Sequence, residues 1–222
     1  MLTLEYLKDK LEIIQKLTGA YVCIAGGAPR DILNNKPVND IDCFISVNES
    51  FESLVILDIL KEDLNIKIKL LKRNQKYQQI GTVAEGIYEE YKWQFIFLLQ
   101  DKPNNLHDFT EDVLNNFDYC LCQVAIYPYT ISNYVSTNEY EADVINKTLT
   151  AHKNQPYEFF QTDKAKARLA KLLAKYPDFT HIPLPEPQPR AERDAELLQR
   201  GYRWAIPEGN IAAAPQPNDV DE

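Results

Sequence analysis

Apolar positions recur at helical spacing over the first 19 residues of the chain. Leucine or isoleucine occupies every third or fourth position, namely Leu4, Leu7, Leu11, Ile14 and Leu17. This period is that of an amphipathic helix, and Gly19 follows it as a stop signal. Because charged residues are spread through the stretch, it predicts a helix that docks on the rest of the protein and not a signal peptide.

A short apolar run from Ala20 to Ala25 follows this helix. It predicts a buried strand that ends in a tight turn at Gly26 and Gly27. Glycine lets another group approach the backbone closely, and two bare N–H groups just ahead of a helix form a natural cradle for phosphate oxygens. Pro29 suits the first turn of that helix, where its missing N–H has no partner to lose.

The next strand is predicted by alternation from Ile41 to Ser46. Alternation places Asp40, Asp42 and Phe44 on one face, because successive side chains of a strand point to opposite sides. Residues two apart on a strand are separated by roughly 6.6 Å. Carboxylates that lean inward at that span can bridge two cations about 3.5 to 4 Å apart, so the pair predicts a two-metal site.

Further elements follow in order along the chain. The pattern predicts a helix from Glu49 to Leu64 with its apolar face at Leu54, Leu57, Ile59 and Leu60, a strand from Ile66 to Lys72, a hairpin of Thr82 to Tyr88 and Lys92 to Leu99, a buried strand from Asp118 to Tyr127, and helices over Asp143 to Leu149 and Asp163 to Tyr176. The last helix is expected to pack through Ala167, Ala170, Leu172 and Leu173.

The segment from Tyr21 to Ser46 resembles the head domain of the tRNA nucleotidyltransferase and poly(A) polymerase family. The family signature is a Gly-Gly turn, an Arg-Asp pair and a downstream Asp-x-Asp, found here as Gly26 and Gly27, Arg30 and Asp31, and Asp40 and Asp42. The resemblance implies an α/β (α+β), polymerase-beta-like nucleotidyltransferase fold with a mixed central sheet flanked by helices. A dinucleotide-binding fingerprint fits less well, because no third glycine follows in the helix.

The resemblance also implies a metal site and a nucleotide site. It implies that Asp40 and Asp42 hold Mg²⁺ or Mn²⁺, and that the nucleoside triphosphate contacts Gly26, Gly27, Arg30, Asp31, Asp118 and Arg168. In the wider superfamily a third carboxylate usually projects from a neighbouring strand, and Gln94 is its equivalent here. A neutral amide oxygen still ligates a hard cation but adds no charge, so weaker metal binding and nucleophile activation are expected. Asp101 or Glu90 would replace it only in a different register.

A second family motif is present in altered form. Asp118 and Tyr119 match the Asp-Phe of the family's Arg-Arg-Asp-Phe motif, but Asn116 and Phe117 replace both arginines. Asp118 therefore either contacts the nucleotide or only orients the start of a strand. The segment after it corresponds in position to the family's neck, where an Asp and an Arg contact the incoming base. The residues available for that pair are Asp163 with Arg168 or Lys166.

Composition and charge add three expectations. The net charge of −9 is unusual for a protein that binds nucleic acid. Two cationic runs could nevertheless contact phosphates, or could simply be solvated faces. They are Lys67, Lys69, Lys72, Arg73 and Lys76, and Lys164, Lys166, Arg168, Lys171 and Lys175. The four cysteines stand in apolar runs and predict reduced, buried thiols. No stretch predicts a membrane span, so we expect a cytoplasmic protein, located in the host cytoplasm if a phage encodes it.

Domain boundaries follow from the changes in pattern. Residues 1–135 are expected to form the head, 136–182 a small helical neck, and 183–222 a proline-rich, extended C-terminal tail. Tyr202 and Trp204 in the tail predict either a docking patch for a protein partner or a second copy, or a lid over the core. The resemblance does not extend to the body with which full-length family members hold tRNA, so we expect a short head like those that bacteriophages and mobile elements carry.

Two classes of function remain open at this point. One is an enzyme that transfers a nucleoside monophosphate from a triphosphate to a hydroxyl, expected to be an RNA 3′ end, with Asp40, Asp42 and Gln94 as catalytic residues. The other is a descendant that keeps the fold as a binding, regulatory or structural module. The intact Gly-Gly and Asp-x-Asp favour the enzyme, whereas Gln94, Asn116 and Phe117 favour the module.

Overall fold

A computed structural model of the protein describes residues 2–72, 80–99, 103–129 and 132–187. Its helices are α1 (Leu4–Thr18), α2 (Gly27–Leu33), α3 (Ser50–Leu64), α4 (Leu106–Asn115), α5 (Asn138–Asn146), α6 (Tyr157–Gln161) and α7 (Asp163–Lys175). Its strands are β1 (Val22–Ala25), β2 (Ile41–Val47), β3 (Lys67–Lys72), β4 (Ile80–Tyr88), β5 (Tyr91–Leu99), β6 (Val124–Ile126), β7 (Val135–Ser136), β8 (Thr148–Thr150) and β9 (Thr180–Ile182).

Seven strands form one mixed sheet in the order β3-β4-β5-β2-β1-β6-β7. The pair β2 and β5 is parallel, and the other neighbours in this sheet are antiparallel. Two short strands, β8 and β9, form a separate parallel pair. The predicted mixed central sheet flanked by helices is therefore confirmed, as is the predicted hairpin of β4 and β5.

The two faces of the sheet have different coverings. On one face, α1 and α3 pack on the inward side chains of the central strands, and Trp93, Phe95 and Phe97 of β5 are fully buried there. On the other face, α4 packs through Phe109 over β1 and β6. The outward side chains Lys67 and Lys69 of β3, Glu85 and Ile87 of β4, and Lys92 and Gln94 of β5 are exposed or half-buried, whereas Leu98 of β5 is buried in the cluster of α4.

Local signals determine the ends of α1. The Thr3 side chain caps its first turn by accepting from the Tyr6 N–H, and Gly19 ends it in the left-handed conformation at φ 68°. Leu7, Leu11 and Ile14 are fully buried, as predicted. Leu17 is 37% exposed, so the predicted apolar stripe stops one turn early.

Three other predicted faces or bounds are corrected by the packing. Helix α3 buries Ser53, Ile56, Leu57 and Leu60, whereas Leu54 is exposed. Helix α7 buries Ala165 and Leu172, whereas Ala167 and Ala170 are exposed. In the predicted strand from Asp118 to Tyr127, a 3₁₀ turn at Cys120–Cys122 precedes the three-residue β6.

The predicted helix from Asp143 to Leu149 is also wrong in its bounds. Helix α5 ends at Asn146, and the chain turns at Lys147 into β8. The buried carboxylate of Asp143 causes this reversal, because it accepts from the hydroxyls of Thr148 and Thr150 and from the Thr150 N–H. Those bonds replace the helical bonds that the chain loses there.

The thiols of Cys23, Cys43, Cys120 and Cys122 are free and buried, as predicted. No helix within the described ranges is long and apolar enough to span a bilayer. Contacts group Met1–Leu184 into one compact unit and Pro185–Glu222 into a second. Arg73, Lys76 and the tail aromatics Tyr202 and Trp204 lie outside the described residues, so the expectations that rest on them stay predictions.

Candidate active site

The two aspartates lie at the start of β2, where that strand pairs with β5. The parallel register places Asp42 beside Gln94, and the Gln94 amide Nε2 donates to the Asp40 carboxylate at 3.2 Å. Inward neighbours such as Ile41 and Trp93 are buried on the opposite face. The structure therefore brings together the three residues that the sequence predicted as the catalytic set.

The electrostatics of Asp42 depend on its surroundings. Burial, and then the neighbouring charge of Asp40, raise the pKa of the Asp42 carboxyl to about 6, while Arg168, Arg30 and Lys92 oppose the shift. Two carboxylates held side by side repel each other, and a cation placed between them relieves both the repulsion and the desolvation. The pair is thus a natural place for a positive charge.

The chemistry of these donors fits a magnesium-type ion. The part of the chain that the structure describes contains no cluster of three or more His, Cys, Asp or Glu that could hold a metal. Mg²⁺ is commonly held by one or two carboxylates together with substrate phosphates and water. Asp40 and Asp42 supply such a pair, and Gln94 would add an amide oxygen only if its side chain turned, because its Nε2 now faces Asp40.

A charged pair beside the aspartates was missed by the sequence analysis. Glu85 of β4 stands opposite Gln94 in the antiparallel register, and its carboxylate binds the Lys92 ammonium at 2.9 Å. Glu85, and then the charges of Asp40 and Asp42, raise the pKa of Lys92. If residues are paired one by one on each side of the two-residue turn at Glu89 and Glu90, Glu85 falls opposite Gln94, so the sequence could have predicted this position. Glu90 itself is exposed in that turn, and Asp101 lies outside the described residues.

The glycine turn departs from the predicted cradle. Gly26 has φ 79°, but its N–H donates to the Val124 carbonyl at 2.9 Å. The expectation of two bare N–H groups is therefore wrong for Gly26. A Cβ on Gly26 would lie 2.7 Å from the Phe117 ring, which also contacts Phe44 edge-on with centroids 6.1 Å apart. The Phe117 ring thus covers the turn. Gly27 begins α2, and its phosphate role stays a prediction.

Arg30 and Asp31 are both buried and belong to one polar network. The Arg30 Nε donates to Asp31 at 2.8 Å and to the Tyr176 hydroxyl at 3.1 Å, and Tyr176 donates to Asp31 at 2.7 Å. Lys175 pairs with the same carboxylate, and Arg30 also donates to the Cys122 sulfur at 3.1 Å. This network joins α2 to the end of α7, so these residues have a structural role whether or not they contact a nucleotide.

Asp118 and Arg168 form an ion pair between the altered motif and α7. The Arg168 Nε lies 2.7 Å from the Asp118 carboxylate, which is buried, while the arginine side chain is 46% exposed. Asp118 therefore orients a cation that lowers the pKa of Asp42, and both alternatives for its role stay open. Asp163 and Lys166, the other neck residues of the prediction, are exposed.

Several solved structures resemble this fold. A CCA-adding enzyme in complex with CTP aligns with a TM-score of 0.59 at 16% identity over 89% of this chain and 43% of that chain. A tRNA nucleotidyltransferase complexed with a primer tRNA and an incoming ATP analogue aligns with a TM-score of 0.56 at 18% identity, over 86% and 52%.

The Thermotoga maritima CCA-adding enzyme complexed with tRNA aligns with a TM-score of 0.56 at 16% identity, over 89% and 42%. The chain thus spans about half the length of these enzymes. At such identities the likeness shows the nucleotidyltransferase fold alone.

No curated protein matches the chain. A family profile does match, over residues 2–142, and it is described as "Gad2: Gabija anti-defense 2 family protein". The matched region contains the glycine turn, the aspartate pair, Gln94 and Asp118. Because the match covers more than half of the chain, this protein belongs to the Gabija anti-defense 2 family.

Proposed function

We propose that this protein is a metal-dependent nucleotidyltransferase, which transfers a nucleoside monophosphate from a nucleoside triphosphate to a hydroxyl of an RNA 3′ end. The observation that carries the proposal is the adjacent carboxylate pair Asp40 and Asp42, one of which has its pKa raised to about 6. Purely structural aspartates are usually paired with cations, whereas these two are held beside each other and beside a neutral amide.

The proposed reaction follows from these residues. The acceptor oxygen forms a bond to the α-phosphorus, the bond from that phosphorus to the bridging oxygen breaks, and pyrophosphate leaves. A bound Mg²⁺ or Mn²⁺ would supply charge neutralisation for the triphosphate. The hydroxyl proton passes to solvent water, because Gln94 cannot take a proton and the carboxylates of Asp40 and Asp42 would be engaged by the cation.

The RNA acceptor is supported by the fold neighbours. Their descriptions name CTP, ATP, an ATP analogue and tRNA as the molecules bound to those enzymes. The family description adds that the members act against a defence, which fits a compact, phage-type protein that works on a host component. The choice of nucleotide depends on residues that contact the base, and Arg168 is the candidate for that contact.

A second candidate function is a module that keeps the fold and has lost the chemistry. Three observations favour it. Gln94 adds no charge to the metal site, the Gly26 N–H is engaged by Val124, and the Phe117 ring covers the glycine turn. Such a protein would act against the defence by binding alone.

Thermal stability in the presence of nucleotide distinguishes the enzyme from the binding module. Each of the four triphosphates is added with Mg²⁺ or Mn²⁺, and one of them should raise Tm, because a ligand of the native state stabilises it by mass action. Asp42→Ala should abolish the shift, and Asp58→Ala, an exposed aspartate on α3, should retain it. Gln94→Glu should lower the metal concentration needed, since it adds a charge beside Asp40.

Transfer of a labelled nucleotide to total RNA completes the test. Incorporation by the wild type and its loss in Asp42→Ala would establish the enzyme. A protein whose Tm responds to no combination of metal and triphosphate, and which labels no acceptor, would establish the binding module instead.

A further inference from the structure

The outward face of the sheet carries a line of lysines that leads to the aspartates. Residues that pair directly across strands share a face of the sheet. Lys67 of β3 pairs with Ile87 of β4, which pairs with Lys92 of β5. The parallel register pairs Trp93 with Ile41, so the residues just before them, Lys92 and Asp40, are level with each other one strand apart. A second row runs from Lys69 through Glu85 and Gln94 to Asp42.

These side chains are accessible to a large ligand. Lys67 and Lys69 are exposed, the Lys92 side chain is 45% exposed and Ile87 is 52% exposed. Among the described residues, Glu85 binds Lys92, and no carboxylate lies within salt-bridge distance of Lys67 or Lys69. The first row therefore presents the ammonium of Lys67, the aliphatic side chain of Ile87 and the Lys92 ammonium, which Glu85 already pairs, next to the carboxylate pair.

The spacings suit a chain of phosphates. Lys67 and Lys69 lie two residues apart on one strand, roughly 6.6 Å, and Lys92 lies two strands away, roughly 9.5 Å from Lys67. From Lys92 to Asp40 is one strand more, roughly 4.8 Å. A polyanion that crosses β3, β4 and β5 would meet a cation at each end of this path before it reaches the aspartates.

We infer that this face, formed by Lys67, Lys69 and Lys92, binds the backbone of a single-stranded RNA and delivers its 3′ end to Asp40 and Asp42. This inference rests on the proposed function for the acceptor's fate, but RNA binding to the face is independent of it. Phosphate contacts by lysine hold an RNA without reading its sequence. No aromatic side chain shares the lysine rows, so contact is through phosphates and not through base stacking.

Salt dependence of binding measures these contacts directly. The probe is a single-stranded RNA of about 20 nucleotides, a length that spans a site of this kind, titrated in EDTA without triphosphate. Each lost phosphate contact lowers the slope of log K against log salt by about 0.7 for single strands. In the Lys67→Gln, Lys69→Gln double variant, the magnitude of the slope of log K against log salt should therefore be smaller by about 1.4. Lys61→Gln on α3, on the other side of the sheet, should leave it unchanged.

The same variants separate this inference from the proposed function. The Lys67→Arg, Lys69→Arg variant keeps both charges and should keep the slope. If extension of the probe occurs, the glutamine variant should raise KM for RNA and leave KM for the triphosphate unchanged. An unchanged slope in the glutamine variant, or equal competition by polyglutamate of matched charge, would overturn the RNA face even if triphosphate raises Tm. Loss of slope without any triphosphate response would keep the face and reject the enzyme.

Discussion

At the scale of single residues, the candidate site is defined by side chains held in unfavourable surroundings. Asp42 is partly buried beside another carboxylate, and burial is the larger cause of its raised pKa. Gly26 adopts a positive φ against the Phe117 ring. The desolvated charge of Asp42 costs stability, whereas the positive φ is one that glycine adopts without strain.

Asp42 should make the protein less stable as the pH rises. The folded state holds a proton on Asp42 up to a pH of about 6, whereas the unfolded chain releases it near 3.8. Stability therefore falls between these values and the full cost is present above pH 6. Asp42→Asn should raise Tm by several degrees at pH 7.5, on the order of 1 to 2 kcal/mol, and by little at pH 4.

Calorimetry of both proteins across pH 4 to 8 checks this expectation. Asp9→Asn, which removes an exposed charge on α1, controls for the change in net charge. An Asp42→Asn protein with the same Tm difference at every pH would show that the carboxyl has an ordinary pKa.

Substitution of Gly26 should cost more than substitution of Gly19, which also has a positive φ. Gly19 has φ 68° with open space around its Cβ position, whereas a Cβ on Gly26 would lie 2.7 Å from Phe117. Gly19→Ala should cost about 1 kcal/mol from backbone strain alone. Gly26→Ala should cost about 2 to 4 kcal/mol, because its ψ of −114° lies outside the left-handed region that Gly19 occupies and overpacking against Phe117 is added.

Urea unfolding of the two variants gives the difference. Phe117→Leu in the Gly26→Ala background should restore part of the loss, since the smaller side chain leaves room for the methyl group. Equal costs at the two glycines would contradict both the added backbone strain and the overpacking at Gly26.

At the scale of elements, a buried network fastens α7 to α2. Asp31 of α2 accepts from Arg30 and Tyr176 and pairs with Lys175, and its side chain is 3% exposed. Arg30 is buried as well, so its charge depends on this carboxylate. The segment predicted as a neck is thus attached to the glycine-turn helix by charge as well as by apolar packing.

Removal of the Asp31 charge should therefore be costly. Asp31→Asn leaves both the buried Arg30 and Lys175 without their shared counter-ion, and loss of one member of a buried pair costs about 3 to 5 kcal/mol. Asp178→Asn breaks the exposed pair with Lys147 and should cost less than about 1 kcal/mol. Denaturant unfolding compares the two variants, and equal losses would contradict the network's importance.

At the scale of the whole molecule, the chain combines a nucleotidyltransferase fold with about half the length of the enzymes that it resembles. The contacts that hold Met1–Leu184 together make this unit a candidate for independent folding. Its seven-stranded sheet is packed by helices on both faces, which supplies the core that a domain of this size needs.

A protein that ends at Leu184 should fold like the full chain. The removed residues have no apolar periodicity of their own, so we expect Tm to change by less than about 3 °C, a difference of about 1 kcal/mol for a domain of this size. Circular dichroism and thermal melting test this. If the truncated protein unfolds, Tyr202 and Trp204 belong to the core and the prediction of an extended tail is wrong.

The sequence by itself determined the segment that contains the aspartates. A glycine turn, a helix start and a two-residue alternation are local signals, so the strand, the turn, the helix and the shared face of Asp40 and Asp42 followed without knowledge of the rest. The position of Gln94 beside the aspartates was also predicted, but from the family resemblance and not from a local pattern. The apolar faces of α3 and α7 did not, because several rotations of those helices satisfy the same pattern.

Only the tertiary structure decided which groups surround the site. Glu85 and Lys92 meet there because the register of β4 on β5 places them together, and Arg30 meets Tyr176 across 146 positions of sequence. The Gly26 N–H is taken by Val124 of a strand that pairs with β1. Contacts between distant segments depend on the packing of the whole sheet and its helices, and no local pattern of residues encodes them.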